Sequence, residues 1–272
     1  MAEAPPVVLS IAGFDPSSGA GVTADIKTIA AHGCYGVACV TALTVQSTAG
    51  VRRVEAIAPE LVQVTLEELA NDFPIRAVHI GMLASGGIVE TVGGFIERAK
   101  PPAVVVDPVL KSSSGTDLLE RLALGLLIER LLPLADVITP NVDEAAALTG
   151  AGVANVEEMK VAAQRLLELG ARAVVVTGGH LDPAADLLLF QGPNGLEEHV
   201  FESGQLKSKS THGTGCAFST ALACNLAHAS RLPDAVRSAK AYVTAAIANA
   251  YDLGKGVGPV NHMFAVKRVS AR

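Results

Sequence analysis

Short, mainly apolar runs rich in β-branched residues recur along the chain, and most end in a turn-forming residue before a stretch of helical composition begins. The runs are residues 7–11, 36–42, 77–80, 103–106, 137–138 and 173–176. Consecutive apolar positions suit a strand covered on both faces, whereas a half-solvated strand alternates apolar and polar residues. Parallel neighbours need crossover connections, and helices supply them. The expected fold class is therefore α/β, a doubly wound and mainly parallel sheet with helices on both faces. Half of the residues are hydrophobic but only 4% are aromatic, so small Ala, Val and Gly side chains let the helices pack close. Late in the chain the pattern changes. Residues 186–190 and 199–201 alternate around Gly192-Pro193-Asn194-Gly195, which predicts a small antiparallel hairpin at one sheet edge. No repeat, low-complexity tract or long linker interrupts residues 1–272, so a single domain is expected.

Composition excludes several classes of function. The net charge is −6 and no Lys/Arg cluster occurs, which disfavours nucleic acid as a partner. The four cysteines show neither metal spacing nor disulfide density. No apolar run reaches the roughly 18 residues of a membrane span, and residues 1–6 show no basic-then-apolar pattern. A cytoplasmic protein without a membrane partner is expected.

Among the helices, Pro59 to Asn71 is amphipathic, with Leu61, Val64, Leu66 and Leu69 read as its apolar side, and a Leu-rich helix is expected around Leu118 to Leu132.

Chemistry-bearing residues gather after strands, at the carboxyl edge where open α/β sheets bind ligands. The first run leads into a Gly/Ser/Asp loop, Gly13 to Gly21, which lacks both the phosphate-loop lysine and the dinucleotide glycine spacing. Gln46 follows the second run. Its amide both donates and accepts, which suits a ring nitrogen beside an amino group. Asp107 ends the fourth run, and Asp143 and Glu144 open a helix after the fifth. Gly178-Gly179-His180 forms a glycine turn. In Ser210 to Ser219, Gly213-Thr214-Gly215 can present backbone N–H groups to an anion at a helix start, with Cys216 on the first helical turn, where thiol pKa values tend to fall. An anion pocket, carboxylates for a hydrated cation and no histidine metal site together suit phosphoryl transfer from a magnesium nucleotide, with a base at position 216.

The loop Gly13 to Asp25, Leu43-Thr44-Val45-Gln46-Ser47-Thr48, Gly81-Met82-Leu83, Asp107-Pro108-Val109, Thr139-Pro140-Asn141, Gly178-Gly179-His180 and Thr211 to Cys216 occur in the order found in hydroxymethylpyrimidine/phosphomethylpyrimidine kinases of thiamine biosynthesis. The chain resembles that family from Val7 to the Gly258 to His262 tail. The resemblance implies a ribokinase-like fold, ATP and Mg2+ as cofactors, a small pyrimidine substrate and a homodimer. It implies that Gly13, Ala20, Asp25, Gln46, Met82 and Val109 meet the pyrimidine. Gly213, Thr214 and Gly215 would form the anion hole beside the base Cys216, which stands where sugar kinases of this fold carry aspartate. Asp107, Asn141, Thr177, Gly178, Thr211 and Lys240 would border the nucleotide, and Asp107 and Glu144 would serve the metal. The chain departs from the usual family pattern at Phe14, Ser18, Leu110, Lys111, Ser113 and Thr177. A pyridoxal kinase and a non-catalytic pyrimidine or nucleotide sensor are the competing readings.

Overall fold

The computed structural model describes residues 3–179, 181, 184–203 and 208–266. In chain order the elements are β1 (Val7–Phe14), α1 (Gly21–Ala31), β2 (Tyr35–Ser47), β3 (Gly50–Ala56), α2 (Pro59–Asp72), β4 (Ile75–Ile80), α3 (Gly86–Ala99), β5 (Val104–Val106), α4 (Ala123–Leu126), β6 (Val137–Ile138), α5 (Val142–Thr149), α6 (Val156–Glu168), β7 (Ala173–Gly178), β8 (Ala184–Gly192), β9 (Gly195–Ser203), α7 (Thr214–Ala227) and α8 (Leu232–Ala248). The strands form one sheet in the order β3-β2-β1-β4-β5-β6-β7-β8-β9. From β2 to β7 all neighbours are parallel, while β3, β8 and β9 join antiparallel at the two edges.

Along each strand successive side chains enter opposite layers. Val7, Leu9 and Ile11 pack with Val62 of α2, Ile88 of α3 and Leu166 of α6, whereas Val8 packs with Ile29 of α1, Leu222 of α7 and Val236 of α8. Val104 and Val106 likewise face the first layer and Val105 the second. These two layers explain why the runs are apolar on both faces. The chain winds from β1 to β2 on one side and then returns to β4 on the other, so the carboxyl ends of β1 and β4 border a crevice. Among the described residues no helix is long and apolar enough to cross a membrane.

Three expectations change. β2 runs on to Ser47 and pairs with β3 from Ala42 to Ser47, so Gln46 lies within a hairpin that projects past the end of β1 rather than in a loop. The Leu118 to Leu132 segment is not one helix. Leu118 and Leu119 are adjacent yet enter different apolar clusters, which one helical face cannot do, and helix begins only at Ala123, followed by a π-helical turn and a 3₁₀ turn at Pro133. In α2 the buried residues are Val62 and Leu66, while Leu61 and Val64 are each 56% exposed. Val62, Leu66 and Leu69, spaced four and three apart, form the buried stripe.

Leu66→Ala is expected to cost about 2–5 kcal/mol of unfolding free energy, and Leu61→Ala no more than ~0.5 kcal/mol. Denaturant unfolding of both variants checks this; equal losses would mean that α2 buries the other face.

Candidate active site

Asp15 organises the loop between β1 and α1. Its Oδ1 accepts from Ser17 N (2.8 Å) and Ser17 Oγ (2.7 Å), and its Oδ2 from Gly19 N (3.2 Å) and Ala20 N (2.9 Å). Oδ2 also lies 2.9 Å from Nε2 of His212, which immediately precedes the glycine-threonine-glycine turn. Burial would raise the Asp15 pKa, but the His212 and Ser17 hydrogen bonds outweigh it and hold the carboxyl below its ordinary value. Ser18, where the family usually has glycine, adopts φ 66. That left-handed conformation costs a residue with a side chain roughly 1–2 kcal/mol, and Lys27 Nζ ties the Ser18 carbonyl down at 2.7 Å.

The same loop is pressed against the start of α7. Gly213 precedes that helix at φ 82, and a Cβ there would strike the Gly19 carbonyl oxygen. Among the described residues no side chain caps α7, so its first N–H groups remain available to an anion. Cys216 is partly buried on the first turn of α7. The expected fall in its pKa does not occur in the ligand-free protein. Burial first, then the negative charges of Asp107 and Asp25, push the Cys216 thiol well up.

Asp107 follows β5. Its Oδ2 accepts from Ser219 Oγ at 3.1 Å, and a Cβ on Gly215 would sit 3.7 Å from that oxygen, so the carboxylate looks onto the α7 start. Glu144 belongs to a capping box at α5: Asn141 Oδ1 accepts from Glu144 N and Glu144 Oε2 from Asn141 N, both at 2.9 Å. Burial pushes Asp107 up to about 6. Burial and the nearby Asp107 push Glu144 up to about 8. Two buried carboxylates, of which Asp107 raises the proton affinity of Glu144, fit a hard divalent cation. No cluster of three or more His, Cys, Asp or Glu suited to a metal exists among the described residues, so phosphate oxygens and water would complete the shell.

Gly13, Met82 and Val109 are brought together under the β2–β3 hairpin. A Cβ on Gly13 would come within 2.8 Å of Met82 Sδ, and Met82 shares an apolar cluster with Ala42, Leu118 and Val109. Ala20 lies at the N-terminus of α1 in the same loop. Gln46 faces a cavity of about 60 Å³ bounded by Thr48 to Val51, Ser112 to Ser114, His212 and Val257. A space this size holds a few waters, not a ring, so hairpin and serine loop must part to admit one.

Asp25 is elsewhere. It is fully buried beneath the site, accepting from Ser10 Oγ (2.6 Å) and Thr220 Oγ1 (2.8 Å) with His79 Nδ1 at 3.2 Å. The expected pyrimidine contact is corrected: these partners occupy its carboxylate and no face is left toward a ligand. Burial opposes a charged His79, but Asp25 and Asp107 prevail and raise its pKa.

On the nucleotide side, Thr177 N donates to Pro140 O at 2.9 Å, bringing Thr177 beside Asn141. Thr211 lies one residue before His212 and accepts weakly from Thr214 N. Lys240 is not free for a phosphate: Nζ pairs with Asp186 Oδ2 at 2.8 Å, while Asp186 Oδ1 accepts from Gly178 N at 3.1 Å. It anchors the Gly178 turn instead. His180 lies outside the described residues. Sequence reasoning missed Asp15, His212, Ser219, Thr220 and Asp186. Three of them carried a signal, as polar residues inside apolar elements: Asp186 in an apolar strand, Ser219 and Thr220 in an Ala-rich helix.

A glycine-lined helix start, a carboxylate pair at the sheet's carboxyl edge and a hairpin over an apolar pocket define an α/β small-molecule kinase of the ribokinase-like class. The sequence profile of the phosphomethylpyrimidine kinase family matches residues 15–261, and the chain belongs to that family. It is 43% identical over 263 residues to the hydroxymethylpyrimidine/phosphomethylpyrimidine kinase of Streptomyces coelicolor, covering 96% of both chains. It is also 43% identical to a thiamine biosynthesis bifunctional protein of Geobacter sulfurreducens, matching 97% of this chain but spanning only 54% of that protein. The pyridoxal kinase of Staphylococcus aureus in complex with ADP superposes with a TM-score of 0.88 at 32% identity, covering 97% of this chain and 96% of that one.

The stability contributed by neutral Glu144 is present in full below its ordinary value of 4.5 and is lost as pH rises through about 8. Without ligands the protein should therefore lose more melting temperature between pH 5 and pH 8.5 than Glu144→Gln, which keeps the capping box. Equal losses would show that Glu144 ionises normally.

Proposed function

We propose that the chain transfers the γ-phosphoryl group of ATP to the hydroxymethyl oxygen of 4-amino-5-hydroxymethyl-2-methylpyrimidine, and then phosphorylates the resulting monophosphate, in thiamine biosynthesis. The observation that carries this reading is the position of Gln46. Its amide lies 3.2 Å from His212 Nε2 and 3.1 Å from Thr44 Oγ1. Asp15 can only accept, so His212 Nε2 bears a proton, and the amide fits best with its oxygen toward His212 and its NH₂ toward Thr44, whose own proton goes to Phe14 O at 3.0 Å. One amide N–H and one oxygen lone pair remain, the complement of a ring nitrogen beside an amino group. Gly13, Met82 and Val109 supply the apolar wall.

The N–H groups of Gly215 and Cys216, on a helix start that no side chain caps, would receive the transferred phosphoryl group. Asp107 and Glu144 would hold Mg2+, which when bound neutralises phosphate charge. Neutralising those carboxylates removes part of what keeps the Cys216 thiol protonated beside burial and Asp25. The α7 dipole then favours a thiolate, which takes the proton of the acceptor hydroxyl.

Pyridoxal phosphorylation is the second reading, supported by the likeness to the Staphylococcus aureus enzyme. The exposed apolar residues Leu43 and Val45 on the hairpin and Leu61 and Val64 on α2 support a homodimer, and four free thiols suit a cytoplasmic enzyme. ADP release measured on hydroxymethylpyrimidine, its monophosphate and pyridoxal decides the substrate. Turnover of both pyrimidines ahead of pyridoxal is expected; faster turnover of pyridoxal, or binding without ADP release, would refute the assignment. Sedimentation as a two-chain particle is expected of the same preparation.

A further inference from the structure

After α8 the chain turns back across the site, and residues 254–262 form a strap that links several of its loops. Asn261 N donates to Ala246 O (3.0 Å) and Asn261 Nδ2 to Asn249 O (3.1 Å), which fixes the strap to the end of α8. His262 is 3% exposed and sits between α1 and the loop before it, with Nε2 3.2 Å from Gly19 O and Nδ1 3.2 Å from Thr28 Oγ1. A carbonyl only accepts, so Nε2 carries the proton and Nδ1 accepts from the threonine. Gly258 N donates to Lys209 O at 3.1 Å, and Gly258 O accepts from His212 N at 3.0 Å. The body of the protein therefore holds this end of the strap.

The other end grips the β2–β3 hairpin. Thr48 opens the hairpin turn. Its Oγ1 accepts from Lys255 N and Gly256 N, both at 3.2 Å, and its carbonyl from Val257 N at 2.9 Å. Gly256 passes so close that a Cβ there would strike Thr48 O. The hairpin needs support, because β2 loses its β1 partner after Leu43. Its hydrogen bonds to the serine loop on the opposite side are longer: Val51 N to Ser114 Oγ at 3.5 Å and Thr116 Oγ1 to Val51 O at 3.4 Å. Hydrogen bonds weaken toward that length, so the strap side is firm and the serine side yields to an incoming ring. Gln46, two residues before Thr48, and Val257 both border the cavity in between.

We propose that Thr48 is a positioning residue: through it the strap holds the hairpin still, so that Gln46 reads the acceptor ring from a fixed wall. The inference rests on the reading of Gln46 as the residue that meets the acceptor. A wall that had to be ordered at each binding event would cost ring affinity, and the strap removes that cost in advance. The nucleotide side follows β5, β6 and β7 rather than β2, and should not share a loss made at Thr48.

The test measures, by calorimetry on the full chain, binding of hydroxymethylpyrimidine, pyridoxal and ADP to wild type, Thr48→Val, Thr48→Ser and Gly256→Ala. Thr48→Val keeps the side-chain shape but loses Oγ1, and should weaken ring binding about 10-fold. Gly256→Ala should do the same from the strap side, without touching the hairpin. Thr48→Ser keeps the oxygen and should bind the ring within about 2-fold of wild type, with ADP binding within about 2-fold in every variant. Unchanged ring affinity in Thr48→Val, a serine variant as weak as the valine one, or ADP affinity falling as far as ring affinity overturns the proposal. A wild-type chain that binds pyridoxal and not the pyrimidine refutes the substrate assignment alone, and the same comparison is then read on pyridoxal; binding of neither ring overturns both. On the unmutated chain, coupling is reciprocal, so amide exchange at residues 255–257 should slow when the ring is added and not when ADP is added. Exchange there that is indifferent to the ring overturns the proposal even if no variant folds.

Discussion

The Asp15 carboxylate is the joint on which the site depends. It gathers the N–H groups of its own loop and the imidazole of His212, which comes from the other end of the sequence. Through that imidazole it sets the Gln46 amide, and through the Gly19 carbonyl its loop bears on Gly213, where only glycine fits. The C-terminal segment completes the joint: His212 N donates to Gly258 O, and Val257 N donates to Thr48 O in the β2–β3 hairpin. The β2–β3 hairpin and the start of α7 are therefore tied together through one loop.

The carboxylates in and beneath this assembly are electrostatically frustrated without ligands. Asp107 raises the proton affinity of Glu144, and burial, with the charges of Asp107, Asp25 and Glu144 added, holds Cys216 as a neutral thiol. On the proposed reading, Cys216 becomes a proton acceptor only when the charges beside it are answered.

Much of the fold was legible because burial on both faces writes a simple signal: every parallel strand appeared as a mainly apolar run. The failures were local and had physical causes. Period-3.6 reading placed Leu61 and Val64 inward because apolar residues surround α2, and only packing against β2 and α3 selects Val62 and Leu66. At the site, residues that act through backbone, such as Gly213, were readable from spacing. Asp25 was not, because a carboxylate near a ligand loop looks the same in sequence whether it faces the ligand or is satisfied from below by Ser10 and Thr220. Asp15 and His212 were quoted within motifs but given no role, since their pairing across 197 residues is a property of the fold.

The central claim is that the transfer centre lies at the α7 start with Cys216 as the proton acceptor. Single-turnover phosphorylation of hydroxymethylpyrimidine by Cys216→Ala tests it most directly. The rate of the chemical step should fall about 10²- to 10⁴-fold, with the nucleotide Kd nearly unchanged. A chemical step at the wild-type rate would contradict the account and leave Cys216 as packing beneath the anion hole.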